Sequence, residues 1–298
     1  MASIMFTGTY TALVTPFTKN GAVDELRLRD LVEAQIAAGI DGLVPCGTTG
    51  ESPTLSHEEH NHVIDLIVKF TAKRCKVIAG TGSNSTDEAV MMTRHAKDAG
   101  ADASLQVAPY YNKPTQAGLY AHFRKIAEDG GLPIIIYNIP GRCGVDVNNE
   151  TTTRLRRDLP GRVVGLKEAT GNVDRVSQMR QLVDKDFSIL SGDDSLTLPM
   201  MAVGAQGVIS VASNVVPREV TDMVRAALNG DFATAGKLHA KLFPLFKDLF
   251  IETNPIPVKA ALAMAGKIEE TYRLPLVPMA DNNKATLRKT LVALGLVK

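Results

Sequence analysis

The sequence predicts a (β/α)8 barrel followed by a helical extension, and three observations carry that expectation. Short β-rich apolar runs alternate with amphipathic stretches along most of the 298 residues, an order that implies a parallel sheet covered by helices. Eight such units occur, matching a closed barrel in both count and length. After Leu228 the strand signals stop and only helical patterns follow.

The strand candidates are Gly8–Val14, Gly42–Cys46, Lys76–Gly80, Ala103–Ala108, Pro133–Ile139, Val163–Ala169, Ser188–Ser191 and Gly207–Val211. Each is short and apolar, as buried strands are. Helical patterns lie among them at Glu25–Ala38, Glu58–Ala72, Asp87–Ala99, Gly118–Glu128, Val173–Val183 and Arg218–Leu228. Two of these have marked starts: Ser56 with Glu59, and Ser85 with Glu88, each fit the capping box that satisfies orphan amides reciprocally. Beyond them, Asp231–Phe250, Pro257–Ala265 and Asn283–Leu294 read as helices, with Asn254-Pro255-Ile256-Pro257 as a rigid turn. The expected organisation is therefore a barrel over residues 1–229 and a helical extension over 230–298, packed on the barrel or on a neighbouring subunit. A doubly wound sheet competes poorly, because Gly80–Ser85 is only a partial nucleotide fingerprint and follows the third strand rather than the first.

Composition narrows the function classes. Hydrophobic residues make up 45% and charged ones 22%, as in soluble globular proteins. A net charge of +1, with no basic stripe interleaved with aromatics, argues against nucleic acid or an anionic membrane as partner. Met1–Tyr10 lacks the features of a signal peptide, and no apolar run is long enough to cross a bilayer. Cys46, Cys75 and Cys143 lie far apart without CxxC spacing, which suits free thiols in a cytoplasmic chain.

In a barrel of this kind the active site forms at the C-terminal strand ends. The sixth run, Val163-Val164-Gly165-Leu166-Lys167-Glu168-Ala169, carries a lysine in an apolar strand. Held there, its amine loses hydration and tends to shed its proton, becoming a nucleophile suited to Schiff-base chemistry. The plainer alternative is a lysine that snorkels to water or pairs with Glu168. After the second strand, Gly47-Thr48-Thr49-Gly50-Glu51-Ser52 offers amides and hydroxyls to a carboxylate, or is an ordinary glycine-rich turn. Tyr110 and Tyr111 follow the fourth strand; Tyr137 lies near the end of the fifth and Arg142 follows it, where the arginine either grips a carboxylate or is simply solvated. Asp193 and Asp194 end the seventh, as a carboxylate pair or, more simply, a helix cap. Together these place an electrophile-capturing amine among proton-transfer hydroxyls and anion donors. Metal chemistry fits worse, since His57 and His60 are separated by two residues rather than three, and no GxSxG elbow exists for a serine nucleophile.

The motifs TYTALVTPF (9–17), GTTGES (47–52), PYYN (109–112), YNIPGRCG (137–144), GLKEAT (165–170), SGDD (191–194), GVIS (207–210) and NPIPVK (254–259) fall in order along the chain. In these the chain resembles the dihydrodipicolinate synthase family of pyruvate-dependent class I aldolases, over essentially its whole length. The resemblance implies that Lys167 forms an imine with pyruvate, that Thr48 and Thr49 hold the pyruvate carboxylate, and that the backbone around Gly192 and Ile209 lines the site. Tyr137 would move protons at the imine, linked through Thr48 to Tyr111 of a neighbouring subunit in a tight dimer, with tetramers built from such dimers. Arg142 would bind the carboxylate of L-aspartate 4-semialdehyde. No metal or organic cofactor is implied, because Lys167 is itself the electron sink. In lysine-inhibited members an effector site lies at the dimer interface; the matching positions are Ser52, Pro53, His57, His60, Asn84, Glu88 and Tyr110, which implies feedback inhibition by L-lysine. The residues alone fit a solvated helix N-terminus equally well. One departure stands out: Cys143 replaces the family's usual threonine beside Arg142, and a thiol is the weaker hydrogen-bonding support. The nearest rivals are N-acetylneuraminate lyase and keto-deoxy-sugar acid aldolases of the same fold; a non-catalytic pyruvate or lysine sensor is a more distant one.

Overall fold

The eight apolar runs form eight parallel strands: β1 (Gly8–Ala12), β2 (Gly42–Val44), β3 (Lys76–Gly80), β4 (Ala103–Val107), β5 (Ile134–Asn138), β6 (Val163–Glu168), β7 (Ser188–Ser191) and β8 (Gly207–Ser210). In the computed structural model, which describes residues 5–298, each strand pairs with its neighbour in sequence and β1 pairs with β8, closing the (β/α)8 barrel. The alternation of side chains along each strand then sorts them into two cores. Phe6, Tyr10, Ile78, Leu105, Ile135 and Leu190 fill the barrel interior. Ile134, Ile136 and Leu166 face outward, in the cluster that includes Phe123, Leu155 and Met179 of the helices.

The covering helices are α1 (Glu25–Ala37), α2 (His57–Thr71), α3 (Thr86–Ala99), α4 (Gln116–Asp129), α5 (Pro140–Cys143), α6 (Asn149–Asp158), α7 (Val173–Leu182), α8 (Thr197–Ala202) and α9 (Pro217–Leu228). Among the described residues no helix is long and apolar enough to cross a membrane. The Ser56–Glu59 capping box is complete. The second box is half made: Ser85 accepts from the Glu88 amide, but the Glu88 carboxylate is drawn away to the Ser83 hydroxyl and to His57. Ser85's own amide donates to Ser83 Oγ instead. Several strands end earlier than the apolar runs suggest. At β2 the cause is local, since Pro45 has no N–H to give the ladder and Cys46 turns the backbone to φ 54°.

Three helices follow the barrel: α10 (Phe232–Asp248), α11 (Ile256–Met264) and α12 (Asp281–Ala293). Their attachment is partly ionic. Lys259 on α11 pairs with Glu51 of the turn after β2, both side chains being 0% exposed, and its ammonium lies 4.2 Å from the Phe17 ring centroid. Arg273 donates to both oxygens of Glu59 at 2.6 and 2.8 Å and to the carbonyls of Gly21 and Thr54. A buried pair of this kind is costly to break from one side, because the survivor is left charged and dry. Lys259→Met should therefore lower the unfolding free energy by about 3–5 kcal/mol, and adding Glu51→Gln should restore more than half of it. Urea denaturation of the single and double variants measures both; a loss that the second substitution fails to reduce would show that packing, not charge, dominates.

Candidate active site

The C-terminal rim of the barrel gathers the candidate groups because parallel strands all end there. Lys167, 6% exposed, pairs in register with Tyr137 on β5 and Leu190 on β7 and faces the interior. Glu168 alternates to the opposite face, where it accepts from the Thr170 amide at 2.7 Å and sits 3.4 Å from Arg175. The plainer sequence reading therefore does not hold: Lys167 neither snorkels to water nor pairs with Glu168. Burial lowers its amine from 10.5 to about 7, Asp194 opposes that fall and Arg142 adds to it. A substantial fraction is therefore neutral amine at physiological pH.

Around it the neighbours are ordered by backbone. Gly192 belongs to this wall by necessity, since a Cβ there would lie 2.6 Å from Ala169 Cβ and 3.1 Å from Lys167 Cε. Tyr137 presents its ring 4.0 Å from Lys167 Nζ, centroid to nitrogen. Burial pushes its phenol up to about 12, with Arg142 and Thr48 offsetting part of the rise, so it holds its proton as a donor. Thr48 and Thr49 sit in a tight turn closed by Gly50 N to Gly47 O at 3.1 Å and Glu51 N to Thr48 O at 3.1 Å. Thr49 Oγ accepts from Asn254 Nδ2 at 2.9 Å. Arg142, on α5, donates to the Asn254 carbonyl at 3.2 Å. Ile209 is buried on β8, paired with Tyr10. A cavity of about 50 Å³ is lined by Lys167, Thr48, Thr49, Tyr137, Arg142 and Gly192.

Other candidates lie apart from this group. Tyr111 is 90% exposed with φ 70° and does not reach the cavity of its own chain. Cys143 is buried beside the site, with its thiol pushed up to about 11 by burial, while the Arg142 guanidinium is supported by the Asn254 carbonyl. The two aspartates divide the alternatives: Asp193 caps the turn by accepting from the Ser195 and Leu196 amides, whereas Asp194 is buried and accepts from Ser210 Oγ and the Val211 and Ala212 amides. Burial raises Asp194 to about 6. Its influence on Lys167, and the place of Asn254 and Phe250 in the cavity wall, went unread in the sequence.

A second cavity of about 370 Å³ shares Thr48, Tyr137 and Arg142 and extends to Ser52, Pro53, His57, His60, Glu88 and Tyr110. His57 Nε2 meets Glu88 at 2.7 Å, while buried His60 bonds the Gly80 carbonyl at 2.9 Å through Nε2 and leaves Nδ1 without a partner. Asn84 donates to the Tyr110 carbonyl at 3.3 Å. His62 turns elsewhere, to Glu25 at 2.8 Å. Among the described residues no group of three or more His, Cys, Asp or Glu side chains is arranged to hold a metal ion.

Residues 5–294 match the family model described as the dihydrodipicolinate synthetase family. A 4-hydroxy-tetrahydrodipicolinate synthase of Nitratidesulfovibrio vulgaris is 54% identical over 294 residues, covering 99% of this chain and 100% of the relative. Dihydrodipicolinate synthase from Aquifex aeolicus superposes with a TM-score of 0.96 at 54% identity, covering 98% and 99% of the two chains. The Acinetobacter baumannii enzyme complexed with pyruvate (46% identical) and the Cyanidioschyzon merolae enzyme with lysine bound (41% identical) each give a TM-score of 0.95, with 98% of this chain and 99% of theirs covered.

The lowered Lys167 amine has a direct consequence. Its modification by an amine-directed reagent, followed by peptide mapping, should rise with a midpoint near pH 7, where an exposed lysine needs about 10.4. Asp194→Asn removes an anion that favours the ammonium form, so the midpoint should move lower. A midpoint near that of exposed lysines would mean the amine is solvated.

Proposed function

The chain belongs to the dihydrodipicolinate synthetase family, and from that membership we propose that it condenses pyruvate with L-aspartate 4-semialdehyde to give 4-hydroxy-tetrahydrodipicolinate in lysine and diaminopimelate biosynthesis. The observation that carries the reading is the desolvated Lys167 amine facing Tyr137, Thr48, Thr49 and Arg142 across one small cavity.

The neutral amine attacks the pyruvate carbonyl carbon, and Tyr137, which keeps its proton, protonates the departing hydroxyl as water. The resulting iminium lies against the Tyr137 ring face, where a cation is favoured. Thr48 and Thr49 hold the carboxylate. The Tyr137 phenolate left when water departs takes a methyl proton to give the enamine, whose carbon attacks the aldehyde while Tyr137 returns the proton to the aldehyde oxygen and Arg142 binds the second carboxylate. The amino group of the second substrate then displaces Lys167 by transimination, closing the ring and freeing the enzyme. Tyr111, exposed as it is, suits a contribution to the site of a second subunit in a dimer, and a tetramer of such dimers in the cytoplasm completes the reading. Regulation by L-lysine is supported by the cavity that runs from Arg142 to His57, His60 and Glu88, where a carboxylate and imidazoles meet an amino acid's own charges.

Borohydride with pyruvate should fix one adduct, on Lys167, and Lys167→Ala should abolish it; an adduct on another lysine overturns the mechanism. Tyr137→Phe should lower kcat by about 10²–10⁴-fold through loss of the proton donor. A coupled assay should show turnover with L-aspartate 4-semialdehyde and none with N-acetylneuraminate as donor.

Millimolar L-lysine should reduce the initial rate, and Glu88→Gln should weaken that inhibition while leaving the uninhibited rate close to that of the unaltered protein. Full activity at millimolar lysine ends the regulatory reading.

A further inference from the structure

We propose that Asn254 is a positioning residue that sets the direction of the Thr49 hydroxyl, so that its proton is offered to the substrate carboxylate. The inference rests on the reading that Thr49 holds that carboxylate. Asn254 stands between α10 and α11, outside the barrel strands, yet it is 5% exposed and lines the same cavity as Lys167, Thr48 and Thr49. Its Nδ2 lies 2.9 Å from Thr49 Oγ. An amide nitrogen only donates, so the threonine oxygen spends a lone pair on it and its single proton must go elsewhere. Thr49 Oγ has no other protein partner among the described residues, which leaves that proton to the cavity.

The opposite amide orientation would reverse the hydroxyl and present a lone pair to an incoming anion. It would also bury an NH2 with neither proton donated, whereas the present one gives a proton to Thr49 and leaves the carbonyl oxygen Oδ1 unpartnered. Orphaned donors are the rarer of the two in protein interiors. A pre-set donor also spares an arriving carboxylate the cost of turning the hydroxyl itself. The same residue meets Arg142 through its backbone carbonyl, which side-chain substitution leaves in place. The two halves of the site therefore separate in the kinetics.

Asn254→Asp is close to isosteric and reverses the polarity, since the new carboxylate accepts from Thr49. The half-saturating pyruvate concentration, read both as KM and from borohydride trapping on Lys167, should rise about 10–100-fold, the range of a lost hydrogen bond to a charged group. KM for the aldehyde should stay within about threefold, because its carboxylate site keeps the Asn254 carbonyl. Burial at this 5% exposed position raises the new carboxyl above its ordinary range, so lowering the pH from about 8 to about 5.5 should protonate part of it and narrow the gap to the unaltered protein at matched pH. With Thr49→Val already present, Asn254→Asp should add little. An unchanged pyruvate dependence overturns the proposal, and so does an equal penalty with and without Thr49, which would mark an effect of charge or packing alone. If the Asp variant does not fold, Asn254→Ala serves in its place: a smaller rise that vanishes with Thr49→Val supports the proposal, and one that persists overturns it. No adduct on Lys167 in the unaltered protein would instead overturn the pyruvate reading, and this inference with it.

Discussion

The chemistry of the rim depends on one constraint, the removal of the Lys167 amine from water without a carboxylate hydrogen-bonded to it. The chain contains a second buried lysine that shows what the alternative looks like. Lys259 lies over the Phe17 ring much as Lys167 lies over that of Tyr137, but it holds the Glu51 carboxylate directly. Burial lowers both amines, and at Lys259 Glu51 opposes the fall by charge and hydrogen bond together. At Lys167 the opposing charge is Asp194, whose oxygens are taken by Ser210 and two backbone amides. Its own ionisation is resisted by burial, so it tempers the Lys167 shift without reversing it.

Strand periodicity makes that separation possible. Successive residues of β6 face opposite sides, so Glu168 is turned toward Arg175 and away from the amine that precedes it. A register slip of one residue would exchange them, burying the carboxylate in the barrel and placing the lysine among the helices. The bulge between β5 and β6 lies at Ile134 and Ile135, before Tyr137 and Lys167 come opposite one another. The pairing that puts ring against amine is therefore regular.

Much of this was legible in the sequence, and the exceptions have physical reasons. All eight strands announced themselves because strands buried on both faces read as short apolar runs. The helices α5, α6 and α8 did not. The first and last are too short for a period to register, and α6, NETTTRLRRD, is mostly polar with Leu155 as its one large apolar side chain. At the site, Lys167, Tyr137, Thr48 and Arg142 were visible from their place at strand ends. The half-formed cap at Ser85 was not, because whether Glu88 bonds backward along its helix or sideways to His57 and Ser83 depends on what α2 brings near. Asp194 and Asn254 were hidden for the same reason. An aspartate in a turn looks like a cap, and an asparagine before proline looks like turn punctuation, until tertiary structure supplies their partners.

Asn254 also changes how the helices after the barrel are to be understood. An extension that only covered apolar surface would touch the site through hydrophobic side chains, as Phe250 does. Here the turn between α10 and α11 hydrogen-bonds the loop after β2 at Thr49 and the loop after β5 at Arg142. Lys259, further along the chain, fixes the same loop at Glu51, which is held in the left-handed region at φ 54°. The loop after β2 is thus clamped at two points only two residues apart, each from outside the barrel. Clamping of this kind holds its amides and hydroxyls in one arrangement, which is the condition for an electrostatic site that need not reorganise on binding. The strands supply the lysine and the tyrosine; the loop after β2 is held by chain that follows the last strand.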